Sequence, residues 1–304
     1  MEPTAAPAPV KKIGKLRASY LLATESFELF RKDKEIAWFV VWNIVLVFLV
    51  GIVFLVGFFA LLMGDVIVMP AEGEEASVLL QVFGYAILFA FYLITSYITT
   101  FYGVALTSVV SARLEGEDKG FSDGMRIAGS RAGRIFTWSL LASTVGVIFQ
   151  VIADKAGWAG KLFSWLGGVA WGVATFFIVP VIAREDANVA GSVKRSSEIF
   201  VKTWGETLIM NFSLGLFFGM LHLVLLIAVF ILGAFLFPQY FLLGLLLIGY
   251  VVVVVVLAVV QTVLESVFKV VLYEYATRGT VPDSFTPELI MGALTKKAAP
   301  VASV

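Results

Sequence analysis

The chain has no cysteine and only one histidine in 304 residues. Disulfides, thiolate metal sites and S-acylation are therefore excluded, and one imidazole is too little material for a zinc or haem site. Charge is scarce too: Asp, Glu, Lys and Arg make up 14% of the residues, against about a quarter in a soluble protein. The 22 basic and 22 acidic groups cancel, so no global positive field favours nucleic acid as a partner. No phosphate-binding loop, GxSxG elbow or HExxH helix occurs. Every segment between the apolar runs is shorter than about 40 residues, too short for a core of its own. These absences point away from an enzyme, and no catalytic, cofactor-binding or metal residue is expected.

Apolar residues fill the space that charge leaves, at 60% of the chain. Between Thr207 and Leu264 no charged residue occurs, and Pro238 is the single proline. That run of about 58 residues would make a helix of roughly 87 Å. A bilayer core is only about 30 Å thick, so the run crosses it twice and turns near Phe237–Pro238–Gln239. Charge-free runs predict six spans over about 38–63, 79–112, 135–153, 162–183, 207–237 and 241–264. The second is too long for one crossing, and the sixth can continue as a helix towards Thr277 until Gly279 and Pro282 break it, so both are expected to project inward. The first span starts beyond the place of a signal peptide and is too long for one, so it reads as a retained helix. Residues 1–10, rich in Ala and Pro, read as a disordered tail. An integral membrane domain is expected over 11–278. A cytoplasmic tail over 279–304 is expected to carry a short helix, with Thr286 as cap and Pro287 in its first turn.

Alternate connecting segments carry most of the Lys and Arg. Lys11, Lys12, Lys15, Arg17, Arg31, Lys32 and Lys34 precede span one; Arg113, Lys119, Arg126, Arg131 and Arg134 follow span two; Arg184, Lys194, Arg195 and Lys202 follow span four. The loop after span one has Asp65, Glu72, Glu74 and Glu75 with no base. The positive-inside rule places both termini in the cytoplasm of a multi-pass cell-membrane protein.

Each basic segment also shows helical periodicity. Ile13, Leu16, Tyr20, Ala23, Phe27 and Phe30 share one face, as do Phe121, Met125, Ala128, Ala132 and Ile135. Ala190, Val193, Ser197, Phe200 and Trp204 form a weaker third. Such helices suit the headgroup boundary, and Trp38, Trp138 and Trp204 at their junctions suit it as well. Ser26–Lys32 aligns with Ser196–Lys202 through Ser, Glu, Phe and Lys. The expected fold is all-α: a polytopic transmembrane bundle of six spans in three parallel units, each an interfacial amphipathic helix plus a hairpin. The competing reading is that any segment leading into a span tends to be basic and amphipathic.

Few polar groups enter the spans. Tyr92, Ser96, Thr99, Gly103, Thr107 and Ser111 form a stripe along span two. It lines either a polar conduit or a helix-packing seam. Glu265 and Lys269 stand one turn apart at the inner end of span six and are expected to neutralise each other. No Asp or Glu lies near a midplane, which removes the usual proton and sodium carriers. His222 reads as a helix-packing hydrogen bonder, and Glu115, Glu117, Asp118 and Asp123 as a solvated turn without calcium-loop spacing. Arg126, Arg131, Arg134, Lys194, Arg195 and Lys202 are the candidate contacts to anionic lipid headgroups.

Phe30–Arg31–Lys32–Asp33–Lys34–Glu35, Thr203–Trp204–Gly205–Glu206 and Tyr273–Glu274–Tyr275–Ala276–Thr277–Arg278–Gly279 together resemble a prokaryotic family of multi-pass membrane proteins of unknown function. The likeness runs over nearly the whole chain. More distantly, the arrangement is similar to the membrane domain attached to some glycerophosphodiester phosphodiesterases. Nothing in these residues could form their catalytic barrel, so that resemblance implies a fold and no reaction. The expectation is a non-enzymatic scaffold or envelope-associated interaction protein, with a protein partner or a second copy left open. The alternative is a transporter or channel for a lipid or small amphiphile.

Overall fold

A computed structural model describes residues 35–64, 77–204, 213–236 and 239–279, with the side chains of 203–204 and 213–217 excepted. The described residues are helical, with no strand. The elements are α1 (Glu35–Met63), α2 (Val78–Leu114), α3 (Phe121–Ser130), α4 (Ala132–Lys155), α5 (Gly157–Ala174), α6 (Ile178–Arg184), α7 (Val189–Trp204), α8 (Ser213–Leu236) and α9 (Tyr240–Arg278). Six stretches among them are long and apolar enough to cross a membrane: α1, α2, α4, α5 with α6, α8 from Phe218, and α9. The protein is a multi-pass membrane protein. The expected first amphipathic helix, the acidic loop over 65–76 and the C-terminal helix lie outside the described residues.

Contacts divide the chain into two compact units, one over Glu35–Phe200 and one from Val201 onward. In the first, burial concentrates at the end of the helices that carries the basic segments. Ile36, Phe39 and Val40 of α1, Val104–Ala112 of α2, Ile135, Trp138, Ser139 and Ser143 of α4, and Ile178 and Val181–Ala183 of α6 are buried there. Further along α1 and α2, Phe48, Val53, Phe59, Val82 and Phe83 are exposed, as are Leu162, Phe163 and Trp165 of α5. Lipid tails are as apolar as these side chains, so nothing drives them together within the bilayer.

The α2 helix, at 37 residues, is about 55 Å long and overshoots a ~30 Å hydrocarbon core. The buried stretch, Val104–Ala112, lies at its C-terminal end. It stops at Gly116 (φ 81°), where Glu117 N–H reaches Ala112 O (2.8 Å) and Gly116 N–H reaches Arg113 O (3.1 Å). That pair of bonds is a Schellman cap, and only a residue at ease in the left-handed region completes it without strain. The chain then turns back into α3. Gly120 N–H donates to Asp123 Oδ2 (3.3 Å), and Phe121 stacks on Phe39 at 4.6 Å. Of the expected apolar face, Ala128 and Ile135 are buried and Phe121, Met125 and Ala132 half-buried, with Gly124 buried beside them. Trp138, expected as a headgroup anchor, is buried and stacks on Trp171 at 5.8 Å and 7°. Its junction lies inside the packed end of the unit. Trp38 is 55% exposed.

In the second unit α8 and α9 form a hairpin, with Gly233 and Leu243 in contact range. The C-terminal part of α9 is buried at Val263, Leu264, Val267 and Val270–Tyr273. Gly279 (φ 70°) ends it, its N–H on Tyr275 O at 3.0 Å, where the sequence places a helix breaker.

Candidate functional site: an arginine clamp on a broken span

The fourth span is not one helix. Pro180 has no N–H to give Phe176 O, and its ring crowds that carbonyl. The ladder tightens to i−3 bonds at Phe176 (to Val173 O, 3.3 Å) and Ile178 (to Thr175 O, 3.0 Å), and α5 and α6 separate over Thr175–Phe177. Phe177 N–H, freed at the break, donates to Ser196 Oγ of α7 at 3.0 Å. Both residues are fully buried, and rings of Phe176, Phe177 and Phe200 pack around the joint at 4.9–6.5 Å. The buried stripe of α7 is accordingly Ser192, Ser196, Ile199 and Phe200. Of the expected face Phe200 is buried, Val193 and Ser197 are half-buried and Ala190 is exposed, because the bond to Phe177 fixes the rotation of the helix. Trp204 lies outside the described side chains.

The other end of α6 is held by charge. Arg131 donates to Ile182 O (2.8 Å) and Glu185 O (3.3 Å), and Arg134 to Glu185 O (2.6 Å) and Asp186 Oδ1 (2.8 Å). Two guanidinium groups thus satisfy carbonyls that a helix end leaves unpaired and oppose its negative dipole end. Arg184 pairs with Glu115 at the cap of α2, and Arg195 of α7 pairs with Glu185 at 3.1 Å. Burial first, then the neighbouring Arg134, lowers the Arg131 pKa. Arginine stays charged regardless. On the rim, Arg113 pairs with Asp118, Lys119 with Glu117 (2.6 Å) and Arg126 with Asp123 (2.7 Å). The acidic cluster read as a solvated turn is thus the counter-charge of this network.

The candidate lipid contacts fall into two groups. Arg131, Arg134 and Arg195 are committed to the clamp, and Lys202 donates to Ala276 O (2.9 Å) at the end of α9. Arg126 and Lys194 have side chains 78% and 80% exposed, each beside a carboxylate on its own helix.

The stripe on α2 splits as well. A Cβ on Gly146 of α4 would meet the Tyr92 ring at 3.1 Å, and one on Gly103 would meet Val179 of α6 at 3.3 Å. Thr107 and Ser111 are buried, Ser96 is half-buried and Thr99 is exposed. Thr100 is buried in place of Thr99. Glu265 accepts from Gln261 at 2.9 Å, with Lys269 half-buried one turn on. His222 Nδ1 donates to Phe218 O at 2.7 Å. Among the described residues no group of three or more His, Asp and Glu could hold a metal ion.

Sequence reasoning missed Ser196 as a tether, although Pro180 four residues past Phe176 was the visible signal. It also missed a polar cluster at the opposite end of α2 and α4. Asp154 accepts from Tyr85 OH (3.1 Å) and Gln150 (3.0 Å), while Lys155 donates to Gln81. Nothing in either segment alone shows that they meet.

A family model described as a family of unknown function, DUF6159, matches residues 82–282. No curated protein and no solved structure gives a match, and nothing supports the distant likeness to phosphodiesterase membrane domains. The match runs from within α2 to beyond α9, the clamp included, and covers more than half of the sequence; the chain belongs to the DUF6159 family.

Proposed function

We propose that this protein is a non-enzymatic membrane scaffold of the cell membrane, with both termini and the clamp on the cytoplasmic side. The observation that carries the reading is the use made of its polar groups. Tyr92, Gly103, Thr107 and Ser111 face helix contacts or lie buried, and four of the six candidate headgroup bases bond to other segments of the chain. A transporter keeps such groups for a substrate. Exposed Arg126 and Lys194 remain to meet anionic lipid, each worth roughly 1 kcal/mol near a charged leaflet. The test is flux of a headgroup-labelled lipid across proteoliposomes holding the whole chain. The expected rate equals that of protein-free vesicles. Flux that Ser96→Leu abolishes while thermal stability is retained would overturn the reading in favour of a conduit.

A further inference from the structure

We propose that α6 is a hinged latch, a half-helix that opens and closes as a unit about the Thr175–Phe177 joint, with Ser196 and the clamp arginines as its catches. This does not depend on the scaffold reading. The joint has no continuous i−4 ladder to carry the stiffness of α5 into α6, since Pro180 cannot contribute one. At seven residues, about 10 Å, α6 is far below the length at which a helix holds itself together. Its order therefore comes from packing and from catches at its two ends. The first catch is one hydroxyl, Ser196 Oγ on Phe177 N–H. The second is ionic and reaches the surface: Arg131 and Arg134 share Asp186, whose side chain is 88% exposed, and Arg184 and Glu185 pair outward to Glu115 and Arg195. The end of α2, buried throughout Val104–Ala112, has a continuous ladder and a Schellman cap, whereas α6 is buried apart from half-buried Val179 and Arg184. The two segments differ above all in what holds their ends, and local opening follows the weaker.

Hydrogen exchange of the whole chain in lipid nanodiscs tests this, comparing amides of 178–184 with those of 104–112. The expected result is faster exchange in 178–184. Raising salt from about 0.1 M to about 1 M, which shortens the screening length from roughly 10 Å to 3 Å, should speed it further there and leave 104–112 unchanged. Ser196→Ala should accelerate 178–184 by about five- to 150-fold, the effect of leaving one buried amide unpaired. Pro180→Ala lets the ladder close, so it should slow that segment and make Ser196→Ala nearly silent in the same chain. Equal protection of the two segments in the wild type overturns the latch. So does Ser196→Ala loosening both alike, or Pro180→Ala leaving 178–184 as it was.

Discussion

One methyl group decides whether α3 can dock. A Cβ on Gly124 would stand 2.7 Å from Phe39 Cζ and 2.9 Å from both Ala105 O and Val109 Cγ2. One of those atoms is helix backbone and cannot give way. Gly124→Ala gains about 0.5–1 kcal/mol of helix propensity and loses about 1–3 by overpacking. The expected net is a lower melting temperature in detergent. Gly129→Ala, with open space around it, keeps the propensity gain alone and should hold or raise it. Two buried serines give a matching contrast. Ser111 Oγ is buried without a hydrogen-bond partner, so Ser111→Ala removes an unmet polar group and should be neutral or stabilising. Ser196→Ala removes a bond that a backbone amide needs and should cost about 1–3 kcal/mol. Asp123 has its pKa lowered, first by the Arg126 hydrogen bond and then by Gly120 N–H. Its folded value lies below the unfolded one, so its contribution is present at neutral pH and fades as pH falls through the folded value. A carboxyl-carbon NMR titration should find that midpoint below about 3.9, and Arg126→Gln should move it upward.

At the scale of elements, the charges near α6 are not equivalent. Arg134 bonds a carbonyl and a carboxylate from another segment, whereas Arg126 pairs only within its own helix. Arg134→Gln should cost about 1.5–3 kcal/mol, the worth of hydrogen bonds made by a charged group. Arg126→Gln should cost less than about 0.5. Thermal unfolding of the two variants side by side separates the clamp from its rim. The α4–α5 turn makes a second demand. Only Ala156 separates the two helices; Gly157 takes φ 57°, and a Cβ at Gly160 would run into Ile152 O. Gly160→Ala should splay this hairpin and lower expression, since backbone would have to move.

The whole molecule tests orientation. The chain has no cysteine, so a single introduced one reports unambiguously. Cysteine at exposed Ala159, in the α4–α5 turn, should react with an impermeant maleimide on intact cells. Cysteine at exposed Asn188, after the clamp, should react only once the cells are opened. The reverse pattern would place the arginines outside, against the rule that orients the bundle.

Composition and periodicity alone determined that the chain crosses a bilayer, roughly where its six apolar stretches lie, and that the short amphipathic helices α3 and α7 precede α4 and α8; the break in the fourth span was not among them. These follow because the bilayer acts on each segment separately: length and charge count set whether a run can enter it. Gly279 as the end of α9 was legible for the same local reason. What the polar groups do was settled only by tertiary structure. Arg131, Arg134 and Arg195 read as lipid-facing by position, and Trp138 as a boundary anchor. Folding brings the end of α6 to the arginines and Trp171 to the indole. Ser196 and Phe177 lie 19 residues apart, and no periodicity links them. A hydrogen bond between elements depends on where two helices meet, and neither helix carries that information by itself.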